Sequence, residues 1–336
     1  MPRGLNAVVV NYRLLESGKE TALRLYPLVA GRNFHHLSRQ GSVLFDLETK
    51  AREIVVKLGW GANLHIYFDH GTFDASQDWF YNFEYRREQE RGLDFREDLY
   101  APGALNINLA EEGAWLVASA QRLDDPDPAK WRQQELERRA ARRKLWPGAP
   151  EAVSTLLDTA VSFMVRKTDG RFGVIAGYPW FEDWGRDAMI SLPGLCLTTG
   201  NFEIARGLLA AYGGACRNGL LPNCFIPPRG EPVYNCVDAA LWFVNAMFAL
   251  AQRPSQKEFV VEKLLPVAKA IVEGYFRGTD YGIHAADDGL IEIGPEGSQL
   301  TWMDAKVGDW VVTPRDGKPV EIEALWYNAL RILEAF

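Results

Sequence analysis

Basic charge is scarce in this sequence. Its 37 lysines and arginines are outnumbered by 44 aspartates and glutamates, for a net charge of −7. A nucleic-acid binder needs a basic footprint on the phosphates, so that class is disfavoured. Metal-ligating side chains are scarce too, with four cysteines and five histidines. Cys196, Cys216, Cys224 and Cys236 form no C-x-x-C pair and no H-E-x-x-H spacing occurs, so a metal site has no support. The thiols read as buried and reduced, which points to a cytoplasmic setting. No run of about 18 apolar residues is present, so no membrane-spanning helix is expected. The opening "MPRGLNAVVVNYRLL" reads as a strand, not as a charged and then apolar leader.

Aromatic residues, by contrast, are plentiful, with eleven tryptophans. Most are expected in the core. The remainder suit a carbohydrate site, where sugar faces stack on rings. The length admits two domains, at roughly 100–200 residues each.

Residues 1–122 alternate with period two. Val8, Val10, Tyr12 and Leu14 share one strand face, and Trp79, Tyr81, Phe83 and Tyr85 alternate with Phe80, Asn82 and Glu84. Further strands are expected near 21–29, 41–47, 52–58, 63–68 and 114–119. The pattern predicts an antiparallel β-sandwich domain, cut short where the chain begins. Residues 123–149 read as a linker helix, capped by Asp127 with Pro128 in its first turn. Its basic run, Arg138 to Lys144, is expected to be a solvated face.

Residues 150–336 switch to helical period. Helices that are apolar almost all round, such as "VDAALWFVNAMFALA", alternate with amphipathic ones. Two concentric layers follow, as in an α/α barrel; strands at the spacing of a TIM barrel are missing. About six helices are countable where six hairpins need twelve, so this part reads as the N-terminal half of an (α/α)6 barrel.

Four polar-plus-indole groups stand at expected helix starts or loops. In "GYPWFEDWGRDAMISLPG", Trp180 and Trp184 flank Asp183, with Arg186 and Asp187 following. With a helix starting near Asp183, Asp183 and Asp187 lie one turn apart and Asp183 can serve as an N-cap. Capping accounts for Asp183 alone; acids and an arginine between indoles suit sugar hydroxyls. In "SQLTWMDAKVGDW", Asp304 has Trp302 beside it and Lys306 two residues on. Against apolar neighbours its carboxyl could act as an acid near neutrality, or it is simply a turn residue. Glu321 and Glu323 open a helix, where the dipole alone favours acids, with Trp326 one turn in. Asn235 and Asp238 in "YNCVDAALW" repeat the chemistry at another helix start.

These four segments resemble the glucosidase half of glycogen debranching enzymes, and the two-domain bacterial and archaeal type most closely. The resemblance spans essentially the whole chain and is specific from Gly177 onward. It implies a β-sandwich followed by an (α/α)6 barrel that hydrolyses α-1,6-linked glucose at branch stumps of an α-glucan, with inversion and no cofactor. It makes Asp304 the general acid. The base lies towards the C-terminus of such proteins, beyond Phe336, and Glu321 is the in-chain stand-in. Trp180, Asp183, Trp184, Arg186, Asp187, Asn235, Asp238, Trp302, Lys306, Glu321 and Trp326 are the implied sugar contacts, Glu321 not being taken as the base itself. The competing readings are a trehalase- or glucoamylase-like six-hairpin α-glucosidase and a non-catalytic glucan-binding protein. An aspartate-rich terpene cyclase is discounted, because "DDPDP" and Asp287–Asp288 sit in turns.

Overall fold

The computed structural model describes all residues except 16–20, 168, 179–180, 227–229 and 296. The chain divides into two compact units, Met1–Ala141 and Arg142–Phe336. The expected linker, 123–149, straddles that division. No described helix is long and apolar enough to cross a membrane.

The first unit is β-rich. Its strands are β1 (Ala7–Tyr12), β2 (Thr21–Leu25), β3 (Phe45–Lys50), β4 (Glu53–Leu58), β5 (Asn63–Phe68), β6 (Thr72–Asp74) and β7 (Asp78–Glu84). After a short helix, α1 (Arg86–Glu90), come β8 (Arg96–Ala101), β9 (Ala104–Leu109), β10 (Ala114–Ser119) and a long helix, α2 (Pro128–Arg143). One antiparallel sheet runs β1-β10-β5-β4-β3 and another β2-β9-β6. Alternation places Ile54, Val56, Ile66 and Phe68 of the first sheet and Leu105, Ile107 and Leu109 of the second in one apolar cluster. The other face of the first sheet carries Ala7, Tyr67 and Val117, packed with Trp115, Leu123 and Trp131. Asp127 accepts a hydrogen bond from the Lys130 backbone N–H at 2.9 Å, so α2 is capped as its sequence predicts.

One strand expectation needs correction, and the first strand's shared face is only partly covered. Val8 and Val10 are 43% and 39% exposed, because β1 is an edge strand and the core thins there. The alternation from Trp79 to Tyr85 is interrupted by an irregularity between Phe80 and Phe83, where Asn82 has φ of 53°. Tyr81 and Phe83 are therefore exposed.

The second unit is helical, with small hairpins between helices. It contains α3 (Glu151–Ala160), the hairpin β11 (Met164–Arg166) and β12 (Phe172–Val174), α4 (Gly185–Leu192) and α5 (Phe202–Gly214). Next come β13 (Cys224–Ile226), β14 (Glu231–Val233), α6 (Asp238–Ala251), α7 (Lys257–Phe259) and α8 (Leu265–Arg277). The hairpins β15 (His284–Ala285) with β16 (Ile291–Glu292) and β17 (Lys306–Val307) with β18 (Trp310–Val311) precede α9 (Val320–Ala335). Proline divides two helices that read as continuous. A π-turn, Pro193–Leu197, follows α4, and another, Val260–Leu264, precedes α8, which restarts with Pro266 in its first turn. Proline has no N–H to continue the i→i−4 ladder, so the register is reset around it.

Helix α6 is the centre of this unit. Nine of its residues are buried, and it packs on α4 and α9, which are not its neighbours in sequence. The Asn328 amide donates to Asn245 Oδ1 at 2.9 Å, and the rings of Phe248 and Phe336 meet farther along. Both contacts advance in the same direction, so α6 and α9 run parallel. At the other end, Arg186 in the first turn of α4 reaches Asp238, the first residue of α6. The starts of α4, α6 and α9 therefore share one side of the unit.

Candidate active site

That rim gathers most of the residues the sequence singles out. Helix α4 begins at Gly185, two residues later than expected. Gly185 is buried, and a Cβ there would lie 2.3 Å from the Pro222 carbonyl oxygen, so only glycine fits. Trp184 is half-buried and bridges to Cys224. The Arg186 Nε–H donates to Asp238 Oδ2 at 2.7 Å, and the Cys236 thiol lies 2.7 Å from Asp238 Oδ1. Asp238 is 2% exposed, so this is a buried, fully engaged carboxylate.

Asp187 differs. It is open to solvent, yet its pKa is raised. Desolvation by the surrounding protein is the main cause, Arg186 opposes it, and the negative charges of Asp238 and Asp304 add to it. Asp187 thus lies within electrostatic range of both Asp238 and Asp304, although they are far apart in sequence. Trp302 is 53% exposed, and Asp304 and Lys306 are exposed beside it. Glu321 at the start of α9 is paired with Arg315, whose Nε–H reaches Oε1 at 3.1 Å. Partial burial pushes its pKa up, but Arg315 and a hydrogen bond from the Trp302 indole hold it below the usual glutamate range. Asn235 is exposed, with Oδ1 accepting from the Asn223 amide at 3.2 Å.

Three expected sugar contacts are corrected, the buried and engaged Asp238 among them, and one lies outside the described residues. Asp183 is neither helical nor a cap: it sits in an extended bridge to Ile175, 3% exposed. Its carboxylate is occupied by the Lys167 ammonium at 2.5 Å and the Tyr212 hydroxyl at 3.1 Å. Trp326 is 2% exposed, packs against Tyr275 and Phe276, and gives its indole N–H to the Gly289 carbonyl oxygen at 3.0 Å. It is a core residue with no free face. Trp180 lies outside the described residues.

The sequence reading missed Lys167, Cys236 and Arg315, which hold Asp183, Asp238 and Glu321. It also missed Trp310, 64% exposed on the hairpin that carries Lys306. Lys167 and Cys236 have no local signal. Arg315 does, as the only cation of the turn "PRDG" six residues before Glu321. Among the described residues no group of three or more His, Cys, Asp or Glu side chains is placed to hold a metal ion.

Comparisons with known proteins bear on this arrangement. A solved rhamnosidase from Klebsiella oxytoca with rhamnose bound is a remote likeness, with a TM-score of 0.40 at 13% identity, covering 94% of this chain and 65% of that one. A glycogen debranching enzyme of Saccharomyces cerevisiae is 30% identical over 220 residues, which is 47% of this chain and 14% of that protein. The chain therefore spans a small part of that relative's length. Residues 1–115 match the family profile described as "Glycogen debranching enzyme N terminal". Residues 158–336, more than half the chain, match the one described as "Amylo-alpha-1,6-glucosidase". The chain belongs to the glycogen debranching enzyme family.

Proposed function

We propose that the protein containing this chain is a glycoside hydrolase that releases glucose from α-1,6-linked branch stumps of glycogen or limit dextrin, with inversion at the anomeric carbon. In this reading the first unit is a β-sandwich and the helical unit is the first half of an (α/α)6 barrel. The packing of α6 on α4 and α9, with α5 and α8 between them in sequence, supports two rings of helices. The observation that carries the proposal is the shared rim, where three helix starts bring together Arg186, Asp187, Asp238 and Glu321 beside the exposed Trp302 and Asp304. Helix N-termini favour the anionic groups gathered there.

Asp304 is assigned as the general acid that protonates the bridging oxygen. A separate carboxylate about 6.5–9.5 Å away would activate the attacking water, as inversion requires. Glu321 is a poor choice for that base, because its carboxylate is already paired with Arg315. In this reading the base is the one that the family resemblance places beyond Phe336. Trp302 would hold the departing glucose by ring stacking and Asp187 by hydroxyl contacts.

The test uses the full-length gene product on a limit dextrin with single α-1,6-glucosyl stumps, with trehalose and maltose as controls. Glucose release is expected on the dextrin, appearing first as the β-anomer by NMR. Asp304→Asn is expected to lower kcat by about 10²–10⁴-fold. Full activity in that variant refutes the assignment of the acid. A preference for trehalose or maltose refutes the substrate and favours another six-hairpin glucosidase.

A further inference from the structure

A second cleft lies within the first unit, with no residue in common with the rim. Strand register sets its floor. Asn11 of β1 pairs with Trp115 of β10, and Val9 pairs with Val117, so these odd-numbered positions share the sheet face opposite the main core. Helix α2 lies over that face, held by Trp131 and by Leu123, whose N–H donates to the Tyr67 hydroxyl at 2.8 Å. Trp131 packs on that face, and Arg132, Glu135, Leu136 and Arg139 of α2 also line the space beside it. Yet none of the helix's 16 residues is buried, because its inner face is not filled. Between helix and sheet is a cavity of about 860 Å³, within the range of small-ligand sites.

Its lining has a definite chemistry. Trp115 and Trp131 are both half-buried, each anchored in the small apolar cluster and each reaching the cavity. Three arginines and four carboxylates surround them, with the Asn11 amide between. Charges so nearly balanced do not attract a phosphate or a polyanion. Arg139 is paired with Glu135 and Arg13 donates to Asn11, while Arg132, Glu112 and Asp125 add a donor fork and two acceptors, which match a neutral chain bearing many hydroxyls. The indoles supply flat apolar walls for the faces of its rings.

We infer that the cleft between α2 and the β1–β10 face binds a stretch of linear α-1,4-glucan, apart from the rim where hydrolysis is proposed. The inference rests on the reading that the substrate is an α-glucan. Its role is to hold a long outer chain while the rim acts on a branch stump, so it matters for glycogen and not for a short oligosaccharide.

The experiment titrates the full-length protein with maltoheptaose by calorimetry, comparing wild type with Trp131→Ala and Arg132→Ala. Arg132 is exposed on α2, so its truncation leaves the fold intact and carries the test alone if Trp131→Ala does not fold. The expected result is a binding class weakened at least about tenfold in the variants, with residues 125–139 protected from amide exchange by maltoheptaose in wild type. The KM for glycogen should rise with kcat on a short branched oligosaccharide unchanged. Unaltered titration in Arg132→Ala and unprotected α2 overturn the inference. Binding is read without turnover, so a protein that binds maltoheptaose here but releases no glucose refutes the proposed activity and leaves the cleft standing.

Discussion

The Arg186–Asp238 pair offers a direct check on how the rim is held. Arg186 and Asp238 side chains are 13% and 3% exposed, and their contact is 2.7 Å. In Arg186→Met the Asp238 carboxylate stays buried with the Cys236 thiol as its remaining side-chain donor. Removing one partner of a buried pair costs about 3–5 kcal/mol, most of it the penalty of the stranded charge. For a unit the size of Arg142–Phe336 each kcal/mol shifts Tm by about 2–4 °C, so the midpoint should fall by about 6–20 °C. Asp238→Asn removes the charge that would be stranded. The double variant should therefore be less destabilised than the sum of the singles, with a coupling of about 2–3 kcal/mol. The assay is thermal and urea unfolding of all four proteins, followed by circular dichroism. Singles that cost under about 1 kcal/mol, or effects that add within about 0.5 kcal/mol, refute the argument that this buried pair fastens α4 to α6.

Two further perturbations test the units separately. Gly274 lies inside α8, where alanine normally stabilises a helix by about 0.5–1 kcal/mol. Here a Cβ would stand 2.7 Å from Gly219 Cα, so Gly274→Ala should destabilise by about 1–3 kcal/mol in urea titration, and a gain in stability refutes the close approach. In the first unit, Glu97 is fully buried; burial pushes its pKa up, but Arg32, Tyr85 and the Ser38 N–H hold it below the ordinary range. The unfolded chain then binds the proton more tightly, so this contribution is fully present above pH of about 4.3 and is lost as pH falls through the lowered value. Urea midpoints measured from pH 7 to pH 3 should fall more gently in Glu97→Gln than in wild type, and parallel profiles count against it.

Local rules made much of the fold legible. Strand positions followed from alternation: Asn63–Phe68 and Ala114–Ser119 fall where expected, and the helix opening at Val320 follows from its period. Partner identity was not legible. An indole in a helix, an acid before a helix and an edge valine each have two destinations, and the choice depends on segments far away. Trp326 went inward because Gly289, 37 residues earlier, offers a carbonyl oxygen. Asp183 stayed extended because β12 and Tyr212 surround it. Neither proline-linked π-turn is visible in apolar period, since both keep the helix direction while slipping its register.

These partners also divide the acids of the rim into two kinds. Asp183 has Lys167, Asp238 has Arg186, Glu321 has Arg315, and Glu323 accepts the Ile291 N–H. Each is tied to a group that fixes one segment of the unit to another. Asp187 and Asp304 are exposed and form no ion pair among the described residues, and each sits in the other's negative field. Folding alone gives no reason to place two such groups together, because their repulsion and the desolvation of Asp187 both work against the native state. An arrangement that costs stability and faces solvent is accounted for by a ligand, which here would be a hydroxyl-rich one able to donate to both carboxylates. The indoles divide in the same way. Trp326 is spent on the core, whereas Trp302 has half its surface open next to Asp304. The fastened residues build the rim, and Asp187, Asp304 and Trp302 are the ones left to meet what binds there.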